Sequence, residues 1–201
     1  MRLAIGITGA SGAIYGVRLL QALRNRPGVE THLVISEAAA IILPAETGLS
    51  RGAVEALADY SYRDDALAAP IASGSFHTDG MVVAPCSVKT LSALANSYSA
   101  TLIARAGDVA LKERRRLILM VRETPLHAGH LRLMLTLAEL GAVILPPVPA
   151  FYGRPATIED MVNHSVGRAL DLLGLEHDLY VPWAGMQSPS PAGAGQKTGD
   201  R

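Results

Sequence analysis

Apolar positions along the chain fall into two kinds of run. Short blocks rich in Val, Ile and Leu occur at RLAIGIT (2–8), ETHLVIS (30–36), GMVVAP (80–85), RLILMV (116–121) and AVILPP (142–147). They are apolar on both faces of a period-2 repeat, which predicts strands buried on both sides in a parallel sheet. Between them the spacing becomes helical. The stretch 12–25 places Ile14, Val17, Leu20 and Leu23 on one stripe. Further helices are predicted over 37–45, 51–59, 87–97, 102–114, 129–140 and 158–173, the last with Thr157 as N-cap. Repeated strand–helix alternation predicts a doubly wound α/β sandwich. Ligands in such folds sit beyond the carboxyl ends of the strands. After Trp183 the stripe vanishes and Gly, Pro, Ser and Ala dominate, which predicts a disordered tail over 187–201.

Composition narrows the picture. With 201 residues and 49% hydrophobic content, the chain can bury one full core. Lys plus Arg and Asp plus Glu number 18 each, which argues against a nucleic-acid coat or a polybasic membrane anchor. Cys86 is the single cysteine, so no disulfide can form within the chain. The start lacks the pattern of a signal peptide, and no apolar run is long enough to span a bilayer. The expectation is a cytoplasmic protein.

The candidate chemistry starts at GITGASGAIYG, Gly6 to Gly16, where the first strand meets the first helix. Glycines there let a phosphate approach the N–H groups of a helix start. The spacing Gly6, Gly9, Gly12, Gly16 lacks the G-x-G of a dinucleotide fingerprint. Ser36, followed by Glu37, stands where that fingerprint wants a ribose acid, and no tyrosine has a lysine four residues on. Residues 9–13 read GASGA and miss the last glycine of a serine-hydrolase elbow. A mononucleotide site remains, with Ser11 as a hydroxyl donor, beside the plainer reading of Ser11 as a helix cap.

A second loop, CSVKT, follows the strand GMVVAP. Ser87 and Thr90 can cap the next helix and donate hydroxyls, and Lys89 adds charge. Cys86 reads as a small buried hydrophobe, since no base partners it. In RAGDVALKERRRLILMVRE (105–123), Arg105 and Lys112 lie seven apart and share a helical face. Arg114 to Arg116 read as a solvated helix face. Arg122 and Glu123 end a strand, where an arginine can clamp phosphate and a carboxylate can move a proton. His127 and His130 give too few ligands for zinc and read as capping or exposed residues, so no metal is predicted. Tyr152 and Arg168 add a hydroxyl and a charge late in the chain.

Taken in order, GITGASGAIYG, AETG (45–48), ASGSFHTDGMVVAPCSVKTL (72–91), ARAGDVALKERRRLILMVRETPL (104–126), GAVILPPVPAFY (141–152) and the region around Arg168 resemble the UbiX/Pad family of flavin prenyltransferases. The resemblance covers about residues 1–183. It implies a three-layer, doubly wound, mostly parallel sheet of the Rossmann or flavodoxin kind, with one flavin prenyltransferase domain over 1–186. It implies transfer of a dimethylallyl group from dimethylallyl monophosphate to N5 and C6 of reduced FMN, without metal. The product, prenylated FMN, serves UbiD-type decarboxylases.

By the same resemblance, Gly9, Ala10, Ser11, Ser36, Ser87, Val88, Lys89, Thr90 and Arg122 match flavin contacts. Val88 stands where the family often has methionine. Arg105, Lys112, Tyr152 and Arg168 match the substrate phosphate site, with Arg105, Lys112 and Glu123 contributed across subunit contacts. Ser11, Glu46, Glu123 and Lys112 match the catalytic groups, and Trp183 an aromatic at the site's edge. The family habit is a homododecamer. An FMN-dependent decarboxylase or oxidoreductase, and a flavin storage protein, are the alternative functions that this set of residues leaves open.

Overall fold

The first apolar block is the middle of the sheet. In the computed structural model, which describes residues 1–185, strands β1 (Arg2–Ile7), β2 (Glu30–Ile35), β3 (Tyr60–Arg63), β4 (Gly80–Cys86), β5 (Arg116–Val121) and β6 (Val143–Ile144) form one sheet. Their order is β3-β2-β1-β4-β5-β6, and every pairing is parallel. The tail expected to be disordered lies outside the described residues.

Period-2 alternation sorts each strand's side chains onto two cores. Leu3, Ile5, Ile7, Leu33, Ile35, Ile118 and Met120 face one side. Ala4, Val34, Met81, Val83, Leu117, Leu119 and Val121 face the other. Helices α1 (Ala13–Leu23), α2 (Glu37–Thr47), α3 (Arg51–Glu55) and α7 (Ile158–Leu173) cover the first face, contributing Val17, Leu43, Val54 and Val166. Helices α4 (Val88–Ala95), α5 (Leu102–Lys112) and α6 (Ala128–Glu139) cover the second with Leu91, Leu102 and Leu137. The three-layer expectation holds, because strands apolar on both faces need helices on both.

The chain runs outward from β1 to β3, then returns to place β4 on the other side of β1. The switch point therefore lies between β1 and β4, and the two glycine- and hydroxyl-bearing loops leave from it.

Several expectations need correction. The strand β3 is absent from the predicted set. Its sequence, YSYR, has no apolar run because it is a short, largely exposed edge strand. It docks through aromatics: the buried His32 of β2 stacks on Tyr60 at 4.9 Å, and its Nδ1 lies 2.9 Å from Tyr62 Oη. The helix expected over 51–59 shortens to α3. The strand expected over 142–147 shortens to Val143–Ile144, ahead of Pro146 and Pro147, which have no N–H for a ladder.

Arg114 to Arg116 do not form a solvated helix face. The helix ends at Lys112, and Arg114 turns with φ 55°. Arg115 donates to the carbonyls of Gly74 (2.6 Å) and Phe76 (2.9 Å), and Arg116 opens β5 and donates to the Leu172 carbonyl.

Candidate active site

Two helix starts face the switch point, each capped by its own serine. Ser36 Oγ accepts from Ala39 N (3.2 Å) at α2. Ser87 Oγ accepts from Thr90 N (3.4 Å) at α4 and donates to Thr90 Oγ1 (3.2 Å). Gly9, Ser36, Ser87, Lys89 and Thr90 line one cavity of about 750 Å³. Gly9 has to be glycine, since a Cβ there would strike the Ala38 Cβ. Ala10 continues the same turn, its N–H bonded to Thr8 O at 2.9 Å, and Val88 is the first residue of α4. The first and second loops thus meet at one cavity.

Thr8 holds them together, and the sequence reading passed over it. Its side chain is buried. Its Oγ1 donates to Pro85 O (2.7 Å) and accepts from Ser87 N (2.8 Å), while its N–H donates to Pro85 O (3.2 Å). The only signal was a polar residue ending an apolar strand. Thr8→Val keeps the shape and leaves Ser87 N–H without its acceptor, a cost of about 1–3 kcal/mol. FMN affinity is expected to fall about tenfold or more in a fluorescence titration, with the helix content unchanged by circular dichroism. Unchanged affinity would show that the loops hold their register without Thr8.

Ser11 does not cap α1. The cap residue is Gly12, in the left-handed region at φ 101°, with no side-chain bond of its own. Glu46, from the last turn of α2, does the capping: its Oε2 accepts from Gly12 N (2.8 Å) and Ala13 N (2.9 Å). Burial pushes this carboxyl up. The neighbouring Ser11 hydroxyl, the two N–H groups and the Arg122 charge outweigh that and hold it below the usual carboxylate range. Ser11, Glu46 and Arg122 are therefore one constellation, drawn from three separate segments of the chain.

Arg122 sits there because its N–H continues the β4–β5 ladder to Cys86 O at 3.1 Å. Its charge also reaches Tyr15, whose hydroxyl is nonetheless raised by burial. Tyr15 was not among the predicted residues. Glu123, next in the chain, accepts from Thr124 N at 2.9 Å and is exposed.

The predicted phosphate cations divide between the two faces of the sheet. Arg105 and Lys112 lie on α5. Arg105 Nε donates to Ala72 O (3.0 Å) and its Nη1 to Asp108 Oδ2 (3.3 Å), while Lys112 pairs with Glu113. Thr101, which caps α5, lines the cavity, whereas Lys112 is at the helix's far end. At 1.5 Å per residue the eleven residues from Thr101 put it roughly 16 Å away along the axis.

Tyr152 and Arg168 lie on the α7 side. Tyr152 Oη is 2.8 Å from His164 Nε2, and Arg168 donates to Asp171 Oδ2 (2.7 Å) and to Tyr180 Oη (3.3 Å). Trp183 packs edge-on against Tyr152 at 5.5 Å. One chain does not bring the α5 pair and the α7 pair together.

Cys86 is fully buried, and burial pushes its thiol up to about 12, as expected of a core residue and not of a nucleophile. His127 caps α6 through Nδ1, which accepts from Gly129 N at 3.0 Å.

The fold and the site define a mononucleotide-binding α/β protein. The flavoprotein family matches residues 1–170. The flavin prenyltransferase UbiX of Salmonella typhimurium is 59% identical over 186 residues, covering 92% of this chain and 98% of the relative. Two solved structures superpose closely. The dodecameric FMN-dependent UbiX-like decarboxylase from Escherichia coli O157:H7 has a TM-score of 0.91 at 51% identity, over 92% of this chain and 100% of its own. AnUbiX in complex with FMN and dimethylallyl pyrophosphate has a TM-score of 0.90 at 49% identity, over 92% and 98%. The chain belongs to the flavoprotein family and, within it, to the UbiX flavin prenyltransferases.

Proposed function

We infer that this chain joins the dimethylallyl group of dimethylallyl monophosphate to N5 and C6 of reduced FMN, giving prenylated FMN for UbiD-type decarboxylases. The observation that carries the reading is the cavity at the switch point. Its volume suits a cofactor-sized ligand, and two serine-capped helix starts aim N–H groups at it. Gly9, Ala10, Ser11, Ser36, Ser87, Val88, Lys89, Thr90 and Arg122 would hold the flavin. When bound, reduced flavin supplies the nucleophilic N5 and C6.

The chain's own groups serve the departing phosphate and the protons. Arg105, Lys112 and Arg168, with the Tyr152 hydroxyl, stabilise the charge that grows on phosphate as the allylic C–O bond breaks. No metal is needed for that charge. Glu46, held as a carboxylate, accepts a proton, with the Ser11 hydroxyl as relay. Glu123, beside Arg122, is the second carboxylate for proton transfer.

Because the α5 and α7 pairs sit on opposite faces of the sheet, the phosphate site is completed by neighbouring copies. Helix α6 supports such an assembly, exposing Leu131 (53%) and Leu135 (59%) one turn apart. The dodecameric relative supports a homododecamer. No described helix is long and apolar enough to cross a membrane. With a single buried cysteine, the cytoplasm is the compartment we propose.

Anaerobic incubation with reduced FMN and dimethylallyl monophosphate tests the reading. The flavin mass should rise by one dimethylallyl unit, with phosphate released in equal amount. A relative described as an FMN-dependent decarboxylase motivates the competing reading. Unmodified flavin with both ligands bound would refute prenyl transfer. Running the diphosphate alongside measures the donor preference.

A further inference from the structure

Helix α7 places His164, Arg168 and Asp171 three or four residues apart, on one face. Tyr152 and Tyr180 reach that face from the segments before and after the helix. His164 Nε2 lies 2.8 Å from Tyr152 Oη, and the two rings meet edge to face at 5.6 Å. The Tyr180 ring packs against His164 at 4.6 Å and against His177 at 5.3 Å. Gly167 makes that packing possible, since a Cβ there would come within 2.6 Å of the Tyr180 ring and 2.8 Å of His177 Cε1.

Asp171 gathers the rest of the cluster. Tyr180 Oη donates to Asp171 Oδ2, which also accepts from Arg168. His177 Nδ1 accepts from Leu179 N (3.2 Å), so its proton is on Nε2 and is donated to Asp171 Oδ1 at 3.0 Å. His164 differs. Its Nε2 touches Tyr152, and its Nδ1 has no hydrogen-bond partner among the described residues. The fold leaves its tautomer open. Burial first, and then the Arg168 charge, hold the imidazole below the usual histidine range against the pull of Asp171. At neutral pH it is uncharged, and one ring nitrogen carries the proton.

The tautomer decides what Tyr152 can do. With the proton on Nδ1, Nε2 accepts the Tyr152 hydrogen and uses up that donor. With the proton on Nε2, the histidine donates to the Tyr152 oxygen, and the hydroxyl hydrogen is free for an anion. We propose that His164 is a positioning residue that donates from Nε2 to Tyr152 and thereby turns the Tyr152 hydroxyl toward the phosphate of the prenyl donor. The proposal rests on the reading that Tyr152 and Arg168 bind that phosphate. It goes beyond that reading in naming the group that orients the tyrosine.

The test compares His164→Phe, His164→Gln, Tyr152→Phe and the double Tyr152→Phe/His164→Phe variant in the anaerobic assay. His164→Phe keeps the ring that packs on Tyr180 and removes the hydrogen bond. It should raise KM for dimethylallyl monophosphate about tenfold, equal to about 1.4 kcal/mol, with kcat and FMN affinity within a factor of two or so. His164→Gln retains an N–H donor and should recover most of the loss. The double variant should be no worse than Tyr152→Phe alone, because both remove one interaction.

A KM unmoved by His164→Phe but raised by Tyr152→Phe overturns the role of His164 and leaves the phosphate reading standing. A KM unmoved by Tyr152→Phe overturns the phosphate reading itself, and the His164 proposal with it. Loss of FMN affinity or a lowered melting temperature in both His164 variants means a role in the fold, which also overturns the proposal.

Discussion

Replacing Glu46 with glutamine lowers the rate of prenyl transfer by about 10²-fold, the lower end of what general acid–base groups contribute, and leaves FMN affinity within a few-fold of the parent. The separation is possible because Glu46 does two things with one carboxylate. It caps α1 by accepting from Gly12 and Ala13 N–H, and it stays ionised beside Ser11 and Arg122. Glutamine keeps a carbonyl oxygen for the two N–H groups but cannot take a proton.

The cap's loss of charge at a helix start costs only about 0.3–1 kcal/mol. Single-turnover rates at saturating FMN, set against a separate FMN titration, measure the two functions independently. If affinity collapses while the rate per bound flavin is unchanged, Glu46 is a cap alone. The pH dependence has a definite sign. The folded pKa lies below the ordinary value of 4.5, so the carboxylate's contribution is complete above pH 4.5 and fades as pH falls through the lower folded value.

Gly16→Ala is expected to destabilise the fold by about 3 kcal/mol, the upper part of the overpacking range. A Cβ at Gly16 would drive into the Ala84 carbonyl oxygen and come within 2.7 Å of Ile7 Cγ1. The carbonyl is β4 backbone, held by the β1–β4 ladder and by the Thr8–Pro85 bonds beside it, so it cannot step aside. For a chain of this size the melting temperature should drop by roughly 6–12 °C. Gly52→Ala is the control. It is also helical, in α3, but a Cβ there meets nothing within 4 Å, and it should raise stability slightly. Equal melting temperatures for Gly16→Ala and the parent would mean that α1 can lift off the sheet at no cost. Because α1 also carries the Glu46 cap, the destabilised variant should lose FMN affinity as well.

Local signals were enough where the local chemistry is self-contained. The strands buried on both faces announced themselves as apolar runs, and Ser87 and Thr157 cap the helices they precede. The edge strand β3 was illegible for the opposite reason. Its stability comes from pairing with β2 and stacking on His32, neither of which its own four residues encode. Arg115 misled in the same way, as its carbonyl partners Gly74 and Phe76 lie about forty positions earlier.

The site divides along that line too. Sequence alone determined the alternating α/β order, the two loops that line the cavity, and, through its motifs, the family. Those depend on neighbours a few residues apart. Only the tertiary structure decided that Glu46 caps α1 in place of Ser11, that Thr8 joins the two loops, that His164 meets Tyr152, and that the α5 and α7 cations face opposite sides of the sheet. Each of those depends on which elements the sheet order brings side by side. Hydrogen bonds and charges act over a few ångströms of space, and spacing along the chain does not record that distance.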